Sequence, residues 1–340
     1  MNKKFEKLLK GVPQSIPPIW FMRQAGRYHS HYQNLRKTHS FEELCKTPEL
    51  AAKVACGPME DFDYDIAILF SDILFPLELL GLKLSYNPGP TFENYLSEKD
   101  STLSINESIV EEKLDFQSEA LRLTRMALAD NKSLVGFVGG PWTILSYGMN
   151  IKNEKSFDLS NSNIFIEKLL YDVLFPVIRK NIQMQFDAGA EIVYVFDTNS
   201  VQLNNTYYLD IYMERMKSEL FLEFNNKLAY FSKNINFYQQ GIERLKSYNL
   251  AGVVYPENEG FSDFLQSEKS FFVQGNFSPK SILKEHSEYL IDFNKFIGKM
   301  KKLNLTDRKG WLCSLSHGVL PKTPEINVRH FVTEIRNAFS

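Results

Sequence analysis

Short apolar runs bounded by polar or turn residues recur along the chain: Pro18–Met22, Ile66–Phe70, Leu134–Gly139, Glu191–Asp197, Lys227–Ser232, Ala251–Tyr255, Phe271–Gly275 and Trp311–Ser316. Each has the length and composition of a buried strand. Between them apolar residues fall at helical spacing, as in Ala51, Val54, Ala55, Met59 and Phe62, and again in Val328, Phe331, Val332, Ile335 and Phe339. Thr47-Pro48, Ser278-Pro279 and Thr323-Pro324 each set a capping hydroxyl before a proline at the first helical position. Gly189 suits a helix C-cap just before the fourth strand. Asn87–Leu114 has weak periodicity and reads as an insertion, expected to form a mobile loop near the site. Strand thus alternates with helix without a repeat or low-complexity linker. The pattern predicts one (β/α)8 barrel over residues 1–340, with a doubly wound open sheet as the alternative.

Composition narrows the function more than the fold. Apolar residues at 44 % and charged residues at 24 % provide for a large core. A net charge of −2 excludes a broad nucleic-acid or anionic-membrane surface, yet leaves room for a local arginine cluster facing a small anion. Cys45, Cys56 and Cys313 form no CxxC pair, so no disulfide framework can be drawn and a reducing cytosol is expected. The N-terminal MNKKFEKLLKGVPQSIPP lacks the apolar stretch of a secretory signal, and no run approaches a membrane span.

In a barrel the C-terminal ends of the strands build the active site, so polar residues there carry the chemistry. The first strand ends in Arg23-Gln24-Ala25-Gly26-Arg27. Two guanidinium forks suit carboxylates bidentately; a solvated loop with surface ion pairs is the plainer reading. The second strand ends Phe70-Ser71-Asp72, where Asp72 is either a functional carboxylate or the N-cap of the next helix. Gly136-Phe137-Val138-Gly139-Gly140-Pro141-Trp142-Thr143, followed by Tyr147, is neither a dinucleotide fingerprint nor a phosphate loop. Close backbone approach and a tight turn account for its glycines. Strand four ends Phe196-Asp197-Thr198-Asn199 and strand eight Ser316-His317-Gly318. A lone histidine is more often structural than functional, though a strand end favours function. The other histidines, His29-x-His31 included, lack partners at metal spacing, so no metal site is expected.

Together these runs resemble the uroporphyrinogen decarboxylase family over nearly the whole chain. The first signature is Pro18 to Arg27 and the second Gly136 to Thr143 with Tyr147; Phe70-Ser71-Asp72-Ile73-Leu74, Gln274-Gly275-Asn276 and His317-Gly318 follow in the expected order. The resemblance implies a (β/α)8 barrel, a homodimer, and action on uroporphyrinogen without metal or organic cofactor. It places Arg23, Gln24, Ala25, Gly26, Arg27, Asp72, Tyr147, Thr198 and His317 at substrate-binding positions, with Asp72 and Arg23 catalytic. Thr198 stands where the family usually has Ser, which keeps the hydroxyl. Asn199-Ser200-Val201, Tyr255-Pro256 and Ser316 depart from the family pattern.

Chemistry supports a cofactor-free reaction. Loss of CO2 from an acetate on a pyrrole needs an electron sink, which many enzymes borrow from pyridoxal phosphate or thiamine. Protonating the pyrrole carbon makes the ring its own sink, and the enzyme must then stabilise a ring cation while holding several carboxylates. Asp72 is the candidate for the first task and the arginines for the second. Arg23 is also a candidate for assisting proton delivery, against which stands the very high pKa of a guanidinium. Two alternatives remain. A corrinoid-linked methyltransferase would need a thiolate-rich zinc site, for which the cysteines show no grouping, and a tetrapyrrole-binding protein without turnover is suggested by the departures.

Overall fold

A computed structural model of the chain describes residues 1–340 except 88, 158, 160–163, 258 and 259. Its strands are β1 (Ile66–Ile68), β2 (Leu84–Tyr86), β3 (Pro90–Phe92), β4 (Ser133–Gly139), β5 (Val193–Asp197), β6 (Leu228–Ser232), β7 (Gly252–Val254), β8 (Phe272–Phe277) and β9 (Trp311–Leu315). Among the described residues seven of them form one parallel sheet in the order β1-β4-β5-β6-β7-β8-β9, while β2 and β3 make a separate antiparallel hairpin. Every residue of β6, β7 and β9 is buried, as a parallel sheet covered on both faces requires.

The sheet curls and closes. Pro18–Met22, the first expected strand, makes only an isolated parallel bridge between Ile19 and Cys313. Pro17 and Pro18 carry no N–H, so a regular ladder cannot start there. The segment nevertheless spans the gap between the last and first strands. The Pro18 carbonyl accepts from Cys313 N–H at 3.0 Å, and the Ile19 carbonyl accepts from Asp65 N–H at 2.9 Å. Ile19 N–H donates to Asp65 Oδ2 at 2.8 Å, so a side chain supplies an acceptor that a neighbouring strand would otherwise provide. The eight-stave barrel is therefore present, with its first stave irregular. Across the interior Tyr194 donates to Gln274 Oε1 at 2.9 Å, and Gln274 Nε2 donates to Ser314 Oγ at 3.0 Å. Since β5 and β8 are not neighbours, the first of these bonds crosses the barrel; Trp20 packs edge-on to Tyr194 with ring centroids 5.0 Å apart.

Helices cover the outside. Pro48–Phe62 packs on Glu107–Ala127, which packs on Phe175–Asp187, and His286–Lys301 packs on Glu325–Phe339. Among the described residues no helix is long and apolar enough to cross a membrane. Gly189 ends the helix before β5 with φ +99°. Of the three hydroxyl-proline starts only Ser278 caps through its side chain, accepting from Lys280 N–H. Thr47 is already the C-cap of the preceding helix, and the last helix begins one residue later than expected, with Pro324 at its N-cap. Asn87–Leu114 is also more ordered than a loop. It contributes β3, a turn of 3-10 helix at Glu98–Thr102 and the first turns of Glu107–Ala127, whose N-terminus is capped by Asn106 accepting from Ile109 N–H at 3.0 Å.

Asp65 fastens the seam. Beyond Ile19 it holds the Lys4 ammonium at 2.6 Å and Asn2 Nδ2 at 3.3 Å, with only 2 % of its surface exposed. Removing the carboxylate strands an ammonium and two N–H donors. Asp65→Ala is expected to lower the unfolding free energy by on the order of 3 kcal/mol in urea titrations. A loss below about 1 kcal/mol, the range of an ordinary surface ion pair, would show that the seam holds without it.

Candidate active site

The C-terminal ends of the strands converge on one mouth, and Arg23 stands at its centre. The residue leaves the first stave in the left-handed region at φ +59°, which turns its exposed side chain away from the core. The stem lies directly against Gly318, where an added Cβ would meet Arg23 Cδ at 2.7 Å. That contact brings the first strand end to the last.

Asp72 follows β1. Its Oδ1 accepts from Leu74 N–H at 2.9 Å and holds the turn ahead of the next helix, but that helix, Pro76–Leu79, has Phe75 at its N-cap and no side-chain cap, so the helix-capping reading does not hold. Burial pushes the carboxyl above the usual range. The Leu74 N–H, the nearby Tyr86 hydroxyl and the charge of Arg23 pull it back, though no hydrogen bond of good geometry joins Tyr86 to it. A group that strains against its own ionisation while facing a guanidinium is a functional candidate beyond its bond to the turn.

Tyr147 reaches the mouth on the helix Pro141–Gly148. Burial raises its phenol most, the Asp72 charge raises it further and Arg23 lowers it, so the three groups share one field. The Lys152 ammonium lies over its ring at 4.8 Å.

Asp197 at the end of β5 places that helix. Its Oδ1 accepts from Thr143 N–H at 3.1 Å and Thr143 Oγ1 at 2.8 Å, and its Oδ2 accepts from Tyr212 at 2.7 Å and Tyr230 at 3.1 Å. The last glycine of the run serves this contact. A Cβ on Gly140 would sit 2.2 Å from the Asp197 carboxyl carbon, so only glycine lets the backbone pass.

His317, one residue beyond the buried Ser316, accepts from Gly318 N–H through Nδ1 at 2.7 Å. The neutral ring therefore carries its proton on Nε2. Burial, with repulsion from Arg23 and Lys233, lowers its pKa from the ordinary 6.5 to about 4. Its ring meets Phe231 edge-on at 5.4 Å.

Arg23, Asp72, Tyr147 and His317 are thus brought together, and Thr198 stands one residue past the end of β5 at the same rim. Arg27 is exposed on the loop beside Tyr32, whose phenol feels its charge. Gln24 and Ala25 turn elsewhere. Gln24 is fully buried with its amide toward Met59 Sδ at 3.7 Å, and Ala25 packs beside Tyr32, Leu44 and Val54. Their side chains shape the loop rather than face the mouth. Gly26 supports the same turn, its carbonyl accepting from His29 N–H at 2.9 Å.

Sequence reasoning missed Lys233, although it directly follows the fifth expected strand, and it missed the partners of Asp197, which lie far along the chain. The departures from the family pattern are packing residues. Asn199 donates from Nδ2 to Ser146 Oγ at 2.7 Å and from its backbone to Thr143 Oγ1 at 2.9 Å. Tyr255 is buried against Tyr238 and Phe264, and Ser316 N–H donates to the Phe277 carbonyl at 2.9 Å.

Three comparisons with known proteins bear on this geometry. The sequence model of the family described as uroporphyrinogen decarboxylase matches residues 1–338. The chain is 35 % identical to the uroporphyrinogen decarboxylase of Orientia tsutsugamushi (strain Ikeda) over 96 % of each chain. It is 31 % identical to that of Trichlorobacter lovleyi over 98 % of this chain and 97 % of the relative. Among solved structures a methyltransferase from Methanosarcina mazei superposes with a TM-score of 0.74 over 100 % of this chain and 99 % of that one, at 16 % identity, a likeness of fold alone.

One titration tests the site's electrostatics. In a histidine NMR titration, one ring is expected to stay neutral to about pH 4, and its signal should be absent from His317→Gln. Because the folded pKa lies below the unfolded value, this group costs stability as pH falls below about 6.5, so His317→Gln should flatten the acid side of the melting profile. If the signal that His317→Gln removes protonates near pH 6.5, that would contradict the burial and crowding of cations described above.

Proposed function

The chain belongs to the uroporphyrinogen decarboxylase family, and we propose that it removes the carboxyl groups of the four acetate side chains of uroporphyrinogen III, giving coproporphyrinogen III and four CO2. The observation that carries this reading is Asp72, a carboxylate made costly by burial at a barrel mouth whose other charges are cations. An anion-rich macrocycle with convergent pyrrole N–H groups answers both halves of that arrangement.

In this mechanism Asp72 accepts hydrogen bonds from the pyrrole N–H groups and faces the positive charge that develops when a ring carbon is protonated. Leu74 N–H holds the carboxylate in place before substrate arrives, so little reorganisation is needed in the transition state. Arg23 and Arg27 take acetate or propionate carboxylates through guanidinium forks. Tyr147, Thr198 and neutral His317, whose Nε2–H is free to donate, complete the hydrogen bonding to the others. The ring is its own electron sink, and no residue is asked to hold a cofactor. A thiol-activating methyltransferase fits less well, because burial pushes the thiols of Cys45, Cys56 and Cys313 up, away from the thiolate a metal would want. Since Asn199, Tyr255 and Ser316 serve packing, they do not argue for a binder without turnover. We place the working unit in the cytosol as a homodimer of barrels each spanning residues 1–340, on the strength of the family resemblance.

Asp72→Asn separates the chemical role from that of holding the turn. An ionised carboxylate whose folded pKa is raised opposes folding above that pKa, so the neutral variant should melt at the same temperature or higher, by most at neutral pH. The asparagine oxygen can still accept from Leu74 N–H. Single-turnover decarboxylation should nevertheless fall by roughly 10²- to 10³-fold. A folded Asp72→Asn protein that turns over at the native rate would remove Asp72 from the chemistry. Anaerobic assays with a chelator and no added cofactor should show undiminished activity, with hepta-, hexa- and pentacarboxylate intermediates on the way to coproporphyrin; activity restored by zinc, pyridoxal phosphate or thiamine would overturn the substrate-as-sink mechanism.

A further inference from the structure

The mouth holds a cation that the mechanism above leaves idle. Lys233 is the first residue after β6. The pairing of Asp197 with Ser232 sets β5 and β6 level at their ends, so the next residues along, Thr198 and Lys233, stand beside each other at the rim. The neighbouring Phe231 touches the His317 ring, and Arg23 lies against Gly318 on the far side of that histidine. Lys233, His317 and Arg23 therefore form one arc across the mouth.

Its backbone position is fixed. Asn234 N–H donates to Ser232 Oγ at 2.9 Å, and the same Oγ shares a hydrogen bond with Ser200 at 2.8 Å, so the turn that carries Lys233 is tied to the end of β5. Its ammonium is not neutralised. Among the described residues no carboxylate lies within ion-pair distance of it. The Arg23 charge repels it, and the two cations together disfavour a proton on His317. Like charges held close without a counterion raise the local positive potential and favour an anion between them.

We propose that Lys233 is a substrate-binding residue, its ammonium holding a carboxylate of the porphyrinogen on the β6 side of the mouth while Arg23 holds another across His317. The inference rests on the decarboxylase reading for the identity of the ligand, and it adds a cation that the strand-end signatures did not assign. A lysine suits this place better than an arginine would, since a compact ammonium on a flexible stem can follow side chains that shorten as acetates become methyl groups.

Lys233→Met keeps the length of the stem and removes the charge; Lys233→Arg returns a charge in a different shape. Two readouts are needed: steady-state decarboxylation of uroporphyrinogen III, and binding of oxidised uroporphyrin, which bears the same carboxylates and does not react, followed by tryptophan fluorescence. Lys233→Met should raise both KM and the uroporphyrin Kd by about tenfold while kcat stays within about threefold of native, and Lys233→Arg should recover most of the affinity. Values of KM and Kd within about twofold of native in a folded Lys233→Met protein would overturn the assignment, as would a fall in kcat at unchanged affinity. If the native protein binds uroporphyrin but releases no CO2, the decarboxylase reading fails while the Kd comparison still decides the role of Lys233.

Discussion

Closure of the barrel across one irregular seam is the constraint on which the rest of the structure depends. Pro17 and Pro18 deny the first stave a regular ladder, and the Asp65 side chain supplies the acceptor that Ile19 needs. A stave that ran on as a normal strand would carry its side chains alternately in and out. This one stops at Met22, whose carbonyl accepts from Val319 N–H at 2.9 Å, and breaks into the left-handed turn at Arg23. Fastening at the bottom and breaking at the top together deliver a guanidinium against Gly318, between the first strand end and the last.

The same geometry explains why the cations lack partners. Each is carried by a different stave: Arg23 by the first, Lys233 by β6, with the His317 ring between them just beyond β9. Several lysines and arginines on the outer helices find acids on their own helix or the next one, as Lys46 does with Glu42 and Glu78. At the mouth Asp72 lies in the field of Arg23 without forming an ion pair among the described residues, and Asp197 is spent on Thr143, Tyr212 and Tyr230. Charge left unneutralised by the protein is available to a ligand, and the histidine among these cations stays neutral, acting as a donor rather than a further cation.

Much of this was legible in the sequence. Alternating apolar runs and helical faces gave the barrel, since burial on both faces makes strand sequences continuous and apolar. Seven of the eight expected strands form; the first is a closing segment because tandem prolines override its apolar pattern. The insertion was read as loop because the helix Glu107–Ala127 begins with an exposed, charged turn whose amphipathic face appears only further on. Within the site, the residues singled out by position at strand ends did converge. Gln24 and Ala25, drawn in by adjacency to the arginines, point inward, since a left-handed turn at Arg23 sends successive side chains to opposite sides. Lys233 escaped notice because a single lysine after an apolar run carries no motif.

Asp72 and Asp197 show what sequence cannot separate. Asp197 ends an apolar strand and Asp72 follows one within a few residues, both are followed by residues that turn into a helical segment, and burial raises the pKa of both. Their partners differ. Asp197 is enclosed, with one backbone and three hydroxyl donors and no cation beside it, so its hydrogen-bonding capacity is spent on Thr143, Tyr212 and Tyr230. Such a carboxylate can hold a helix in place but cannot receive a ligand. Asp72 has one good backbone donor, a guanidinium in its field and an opening to the mouth. A buried carboxylate that its own protein leaves short of donors is stabilised when a ligand brings N–H groups and positive charge to it. The tyrosines that complete Asp197 arrive from residues 212 and 230, and nothing near Asp72 in the chain announces that equivalent donors are missing. Function at one strand end and architecture at the next are thus decided by which distant side chains fold back to satisfy the charge.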